Sequence, residues 1–345
     1  MDLAVSSSPE ALTQLRAPWQ ELFDACPAAP IFLSWEWLSR WWAHFGADHE
    51  LRLVTVREGG QLVGIAPLMI RHSASSPELR FIGREETTDY ADLLTLPGHE
   101  QAVVAALLDH VQAFREEAGS VALEPLLEDS PLLHALRGEG PSLMTESSIK
   151  IEPIEPCPYI PLASDWDAYL AGLPKKDRHE LRRKLRRAEA DGPLILDVAT
   201  DPQEIAERLP VFFSMHRASV DAHKANFLSA EIEAFFTDAF GALAERGWTR
   251  LSLLRFGDQP VASAVSFERG DTVSLYNSGF DPAFRALSPG IALVALELQA
   301  AIERGRTTYD FMRGNERYKY DLGGRDRFVY RATLPSLTPS PRGGG

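Results

Sequence analysis

The sequence predicts an α/β protein built of two tandem domains with mixed α+β sheets, and three observations predict it. The chain of 345 residues is about twice the ~150 typical of one domain. A strand, tight turn and strand pattern occurs twice, at Leu51 to Ile70 and again at Leu251 to Glu268, starting 200 positions apart. Each copy is followed by the same succession: an extended stretch, an amphipathic helix and a closing strand.

In the first copy, Leu51 to Val56 alternates, Glu58-Gly59-Gly60-Gln61 turns, and Leu62 to Ala66 returns. Leu79 to Gly83 is extended, Glu100 to Glu117 is amphipathic at helical period, and Ser120 to Leu123 closes the unit. In the second, Leu251 to Phe256 rises, Gly257-Asp258-Gln259-Pro260 turns, and Val261 to Phe267 returns. Asp271 to Gly279, the helix Gly290 to Arg304 and the strand Thr308 to Phe311 follow. Four prolines between Glu152 and Pro161 mark a boundary, so we expect domains at 1–155 and 156–334. The residues from Pro335 to Gly345 are too poor in apolar groups to order themselves and are read as a disordered tail.

Apolar residues at 45 % and charged residues at 24 % describe an ordinary folded chain, excluding wholesale disorder. Lys+Arg 35 against Asp+Glu 49 leaves −14, which repels nucleic acid and anionic membranes unless positive charge is concentrated locally. Two cysteines exclude a disulfide framework and a Cys-rich zinc site, and no histidine pair has metal-ligand spacing, so no metal is expected. The start lacks a basic segment followed by an apolar one, and no apolar run reaches about 18 residues. The expectation is a cytoplasmic protein without membrane insertion. Five of the seven tryptophans fall by Trp42, and we read them as plugging a helix onto the first sheet.

The most informative stretch is Asp281 to Gly290, which runs straight into the helix at Ile291. Ser288 reads as an N-cap and Pro289 as a first helical residue, while Gly290 adds an unshielded amide. Amides at a helix N-terminus attract phosphate, and Arg285 stands just upstream as a charge partner. A plain core helix would also start this way, since Ile291, Val294, Ala295, Leu298, Ala301 and Ile302 form a buried stripe.

Arg285-x-x-Ser288-x-Gly290 resembles the Arg/Gln-x-x-Gly-x-Gly/Ala pyrophosphate loop of the GNAT acyltransferase superfamily, with Ser288 in place of the middle glycine. Gly279-Phe280-Asp281-Pro282 and the run from Tyr309 to Tyr320 narrow the resemblance to the CelD-like, cellulose-biosynthesis branch. That branch is similar in turn to the Fem-type peptidyltransferases, which also pair two GNAT-like domains. The likeness covers Trp166 to Leu334 and, more loosely through Phe32 to Trp37 and the first hairpin, the N-terminal half. The first domain has no counterpart of the Arg285 loop, so one active site is expected, and the first domain is expected to hold no cofactor.

The resemblance implies a tandem pair of GNAT-like domains transferring an acyl group from acetyl-CoA or another acyl-CoA to an amine or hydroxyl. The acceptor would be a small molecule, saccharide or peptide, in polysaccharide or cell-envelope metabolism. Arg285, Ser288, Pro289 and Gly290 would hold the diphosphate, and the backbone of Tyr276, Asn277 and Ser278 the thioester carbonyl. Asp310, Tyr318, Lys319 and Tyr320 are the candidates for proton transfer, Tyr320 as acid toward the thiolate and Asp310 either as base or as anchor of Arg313 or Lys319. Lys319 could instead hold an acidic group of the acceptor, and His216, Arg217, Lys224, Arg313 and Asn315 fall where the branch carries polar residues toward it.

Lys175 to Arg187 holds eight of the 35 basic residues on one predicted helix, with only Leu181, Leu185 and Ala188 as an apolar stripe. It is either a solvated face turned to the protein's own acids or a dock for a polyanion: the 3′-phosphate side of coenzyme A, an acyl carrier, or the tRNA that Fem-type enzymes use as donor. A Fem-type aminoacyl-tRNA donor and a non-catalytic GNAT-like protein that tethers a partner through 175–187 are thus the alternatives. Ser147-x-x-Lys150 has the spacing of a Ser-Lys nucleophile pair but falls on a strand, without the helix start that chemistry needs.

Overall fold

The computed structural model describes all residues except 73–75, 84–85, 118, 140–148, 190–191, 220–227 and 338–345. The chain divides into two units, Met1–Glu155 together with Phe328–Gly345, and Pro156–Arg327.

The first unit opens with β1 (Asp2–Ser6), α1 (Glu10–Gln14), α2 (Arg16–Asp24) and α3 (Trp35–Phe45). Ser34 caps α3, its hydroxyl accepting the Trp37 N–H at 3.2 Å. Trp19, Trp37 and Trp41 are fully buried, and the Trp41 ring lies 6.1 Å from that of His49 on the next strand, so these tryptophans are core. The hairpin follows as β2 (His49–Glu58) and β3 (Gln61–His72). Its turn has Gly59 and Gly60 both at positive φ, the backbone a two-residue hairpin of the right twist requires. Then come β4 (Pro77–Phe81), β5 (Leu94–Thr95), α4 (Glu100–Glu117), β6 (Ser120–Leu127), α5 (Pro131–Leu136) and β7 (Lys150–Pro156). The sheet runs β1-β2-β3-β4-β6, continues through a strand from the far end of the chain and closes on β7, with β5 beside β3.

That distant strand corrects the expected domain limits. It is β14 (Phe328–Leu334), read above as the end of the second domain, yet it pairs antiparallel with β6 from Val329–Leu127 to Leu334–Val121. Val329, Ala332 and Leu334 are fully buried there, with a β-bulge between Tyr330 and Ala332 shifting the phase of the buried face. The expected tail also starts too early: the fully buried Arg115 donates to the Pro335 carbonyl at 2.9 Å, and its own carbonyl accepts the Leu337 N–H at 2.9 Å. The remainder, 338–345, lies outside the described residues.

The second unit holds β8 (Tyr159–Pro161), α6 (Trp166–Gly172), α7 (Lys175–Ala188), β9 (Leu194–Ala199), α8 (Pro202–Ser219) and α9 (Ala230–Glu245). It continues with β10 (Thr249–Phe256), β11 (Gln259–Arg269), β12 (Thr272–Phe280), α10 (Pro289–Glu303), β13 (Thr308–Asp310) and α11 (Arg317–Asp321). Its sheet runs β8-β13-β12-β11-β10-β9. One core gathers α6, α7 and α10 with sheet residues such as Val273 and Leu275. Phe212 of α8 and Phe236 and Phe240 of α9 meet Phe267 and Tyr276 in a second, aromatic cluster.

The two units share one connectivity. In each, a hairpin is joined by a third antiparallel strand, a helix crosses over, and the next strand lies parallel to the third: β4 with β6, and β12 with β13.

Candidate active site

In the second unit the parallel pair comes apart early. β12 and β13 are in register from Thr272–Thr308 to Ser274–Asp310, after which β12 pairs only with β11 among the described residues. Between β11 and β12 the register passes from Ser266–Leu275 to Val265–Asn277, so Tyr276 is an inserted residue, a β-bulge. A bulge bends its strand, and a crevice at the carboxyl end of parallel strands is where open α/β sheets take ligands. The Tyr276 side chain turns inward, edge-on to Phe236 at 5.5 Å and Phe240 at 5.8 Å, so this position offers its backbone. Asn277 and Ser278 beside it are half-buried.

α8 crosses β12 at very short range. A Cβ placed on Gly279 would lie 2.4 Å from the His216 nitrogen and 2.5 Å from the Met215 carbonyl carbon, so only glycine permits the approach. His216 is thereby held against the bulged strand, 6 % exposed. Arg217, one residue on, is exposed and ion-paired to Glu233, and Lys224 lies outside the described residues.

The loop after β12 enters α10 differently from the sequence expectation. Asp281 accepts the Ala283 N–H at 2.9 Å and starts a 3-10 turn over Pro282–Leu287. Ser288 then sits at φ 53°, ψ 51°, left-handed, and makes no side-chain cap. It is the Ser288 carbonyl that serves the helix, accepting the Ile291 and Ala292 N–H groups at 3.1 Å. A left-handed conformation explains why the resembled motif has glycine here; serine costs about 1–2 kcal/mol. Pro289 has no N–H, so Gly290 supplies the first free donor of α10, with no partner among the described residues. A Cβ on Gly290 would meet only a Phe280 ring carbon, at 3.6 Å, so the position is uncrowded. Arg285 is exposed, its guanidinium 5.9 Å from the Phe280 ring centre and without an ion-pair partner among the described residues. An open amide at a positive helix end beside an unpaired arginine fits a diphosphate.

The residues after β13 are mostly committed to one another. Asp310 is 2 % exposed and accepts from Arg327 Nη2 at 2.5 Å and from the Met312 N–H at 2.9 Å, pinning Met312 at φ 55°. It anchors Arg327, while Lys319 is engaged elsewhere. Lys319 is 3 % exposed, and its Nζ donates to the Arg313 and Gly314 carbonyls at 2.7 and 3.2 Å while facing Glu316 at 2.9 Å. With three donors engaged, it has none left for an acceptor's acidic group. Tyr320 donates to Asp326 Oδ1 at 2.7 Å, and burial with that carboxylate pushes its phenol up to about 12. Burial raises the Tyr318 phenol as well; its ring packs edge-on against Phe311 at 6.0 Å. Asn315 is exposed and Arg313 half-buried.

α7 forms as expected, with Leu181 and Ala188 buried and Leu185 half-buried against the core. Arg183 and Lys184 share Glu180 within the helix, and Arg178 reaches the Leu170 and Ala171 carbonyls at the end of α6. The side chains of Lys175, Lys176, Arg182 and Arg187 have no hydrogen-bond or ion-pair partner among the described residues. Four cations of α7 thus carry no ion pair, while Glu180 engages Arg183 and Lys184. Of the Ser-Lys pair, Ser147 lies outside the described residues, and Lys150 meets Glu152 at 2.6 Å. Sequence reasoning missed Asp326 and Arg327, and it used Gly279 only as part of a motif; a lone glycine inside a strand pattern was the one available signal for its close backbone approach.

Residues 175–320 match the acetyltransferase (GNAT) domain family. The match falls wholly within the second unit. Among curated proteins no relative matches. Among solved structures the chain is similar to FemX, at 14 % identity and TM-score 0.64, over 96 % of this chain and 97 % of that one. It is also similar to the C-terminal domain of a putative lysylphosphatidylglycerol synthetase from Agrobacterium fabrum, at 11 % identity and TM-score 0.57, over 94 % and 92 % of the two chains. L-PGS from Bacillus licheniformis matches at 12 % and 0.56, over 99 % and 96 %. With the repeated connectivity, this makes the fold a tandem pair of GNAT-like domains. No helix among the described residues is long and apolar enough to cross a membrane.

Proposed function

We propose that the protein is an acyl-CoA-dependent N-acyltransferase, moving an acyl group from a coenzyme A thioester to an amine, or less often a hydroxyl, of a small-molecule, saccharide or peptide acceptor. The observation that carries this is the conjunction, within one GNAT domain, of the open Gly290 amide and unpaired Arg285 with the bulged, splayed end of β12. The diphosphate would bind at the start of α10 and the thioester carbonyl along Tyr276 to Ser278. The acceptor's amine attacks the thioester carbon, its proton leaves to a base, and the C–S bond breaks to release the thiolate. Tyr320, protonated at neutral pH, is the acid assigned to that thiolate, and Asp310 and Lys319 hold the frame around it. His216, Arg217, Arg313 and Asn315 are assigned to the acceptor side.

Calorimetric titration of acetyl-CoA and longer acyl-CoAs into wild type and Arg285→Ala tests this reading. Binding by wild type that the variant weakens about tenfold, ~1.4 kcal/mol, is expected; no binding of any thioester overturns it.

A Fem-type aminoacyl-tRNA donor is the second reading, favoured by the likeness in fold to FemX and by the unpaired cations of α7. Strongly salt-dependent tRNA binding is its signature, and absence of binding at low salt eliminates it.

A further inference from the structure

We infer that a cavity beside the first turn of α10 receives the phosphoadenosine end of the donor, so that α7, a helix placed ahead of β9, is part of the donor site. The inference rests on the coenzyme A reading above. The cavity has a volume of about 190 Å³ and lies between α7, α10 and α11. Ile291 on its wall follows directly on Gly290, whose open amide is assigned to the diphosphate. A site for a whole drug-sized ligand spans roughly 300–1,000 Å³, so a cavity of this size takes one end of a longer molecule.

Its lining specifies which end. Leu181 and Ile291, with the Tyr318 ring, offer an apolar wall for a flat base. Three cations share the rim: Lys176, which has no hydrogen-bond or ion-pair partner among the described residues; Lys184, which reaches only Glu180, at 3.9 Å; and Arg317, 3.6 Å from Asp321. Asp177, Glu180 and Asp321 are there too, so the rim is balanced in charge and is a poor host for a bare anion. A nucleoside phosphate uses both signs. Its phosphate takes the lysines and the arginine, while its exocyclic amine and ribose hydroxyls donate to the carboxylates.

The test is calorimetric titration of coenzyme A and of dephospho-coenzyme A, which lacks the 3′-phosphate, into the full chain. Wild type is compared with the double variant Lys176→Ala/Lys184→Ala and with Arg285→Ala, each first checked for an unchanged melting temperature. Wild type should bind coenzyme A about tenfold more tightly than the dephospho form. The double variant should lose that preference while binding the dephospho form as wild type does, and Arg285→Ala should weaken both ligands alike. A preference that survives in the double variant, or is missing in wild type, overturns the cavity assignment and leaves the coenzyme A reading standing. If wild type binds neither compound, that reading fails and takes the inference with it. An adenosine-ended RNA hairpin held by wild type in place of coenzyme A, and released by the double variant, also overturns it, by moving the cavity to another donor.

Discussion

Both units bring a parallel strand pair to the same point of the same connectivity, yet they finish it in opposite ways. In the first, β4 and β6 pair from Glu78–Ser120 to Arg80–Ala122, the β3–β4 register runs without a shift, and Arg80 and Arg331 both close on Glu124. In the second, a bulge at Tyr276 bends the third strand, the loop beyond it ends in a left-handed residue, and Arg285 is left unpaired. Shared connectivity thus supplies a place for a site and not the site itself. An inserted residue and an unneutralised cation make the difference, and both are local.

The sharpest way to break this comparison is through the two glycines that let a helix lie on a strand. Gly279→Ala should cost about 3 kcal/mol, because the new methyl meets α8 backbone that cannot rotate away. Gly64→Ala on β3 should cost less, about 2 kcal/mol: the new methyl meets both Val103 methyls, at 2.4 and 2.6 Å, and a helical valine has essentially one rotamer, yet a side chain shifts more readily than backbone. Urea unfolding of both variants reads the difference; equal losses would mean that the two helix–strand approaches are alike after all.

Lys319→Met comes next. It leaves the Arg313 and Gly314 carbonyls without their buried donor, at about 1–2 kcal/mol. Faster cleavage within 313–316 by a non-specific protease is expected, together with a lower melting temperature. Cleavage at the wild-type rate would show that the turn after β13 does not depend on the ammonium.

The smallest effect concerns pH and belongs to the first unit. Burial, only partly offset by bonds from the Ser130 hydroxyl and the Leu93 N–H, pushes the Asp92 carboxyl up to about 7, above its ordinary 3.8. The folded state therefore holds this proton more tightly than the unfolded one. Stability should be full below about 4, fall as pH rises and level off above about 7. Since Asp92 is only half-buried, the fall should be about 1 kcal/mol, visible as a lower unfolding midpoint at pH 8 than at pH 5. Asp92→Asn should remove the slope; a slope that persists would assign it to another group.

Much of this was legible in the sequence wherever the signal was local. Gly59-Gly60 announced the first hairpin, Pro174 and the Leu181 stripe announced α7, and Ser288-Pro289-Gly290 announced the start of α10. Three features were not legible, for different reasons. The apolar pattern of Phe328 to Leu334 suits a strand of either sheet, and only tertiary pairing chooses. Ser288 before Pro289 is read as a side-chain cap because propensity cannot see the 3-10 turn that forces it left-handed. Lys319 among charged neighbours looks solvated, and its burial depends on carbonyls turned inward by the Asp310–Met312 bond and on an arginine seventeen positions on from Asp310.

The position of β14 also bears on how the chain matures on the ribosome. The first sheet waits for Phe328 to Leu334, so until the whole second unit has been made it lacks this strand and the β7 that pairs with it, and the edge of β6 is left bare meanwhile. The unit that begins first in the sequence is thus the last to be completed, with the second unit inserted in its sequence. A nascent chain stalled before Phe328 would present an open β-edge to chaperones, however well its second domain had already folded.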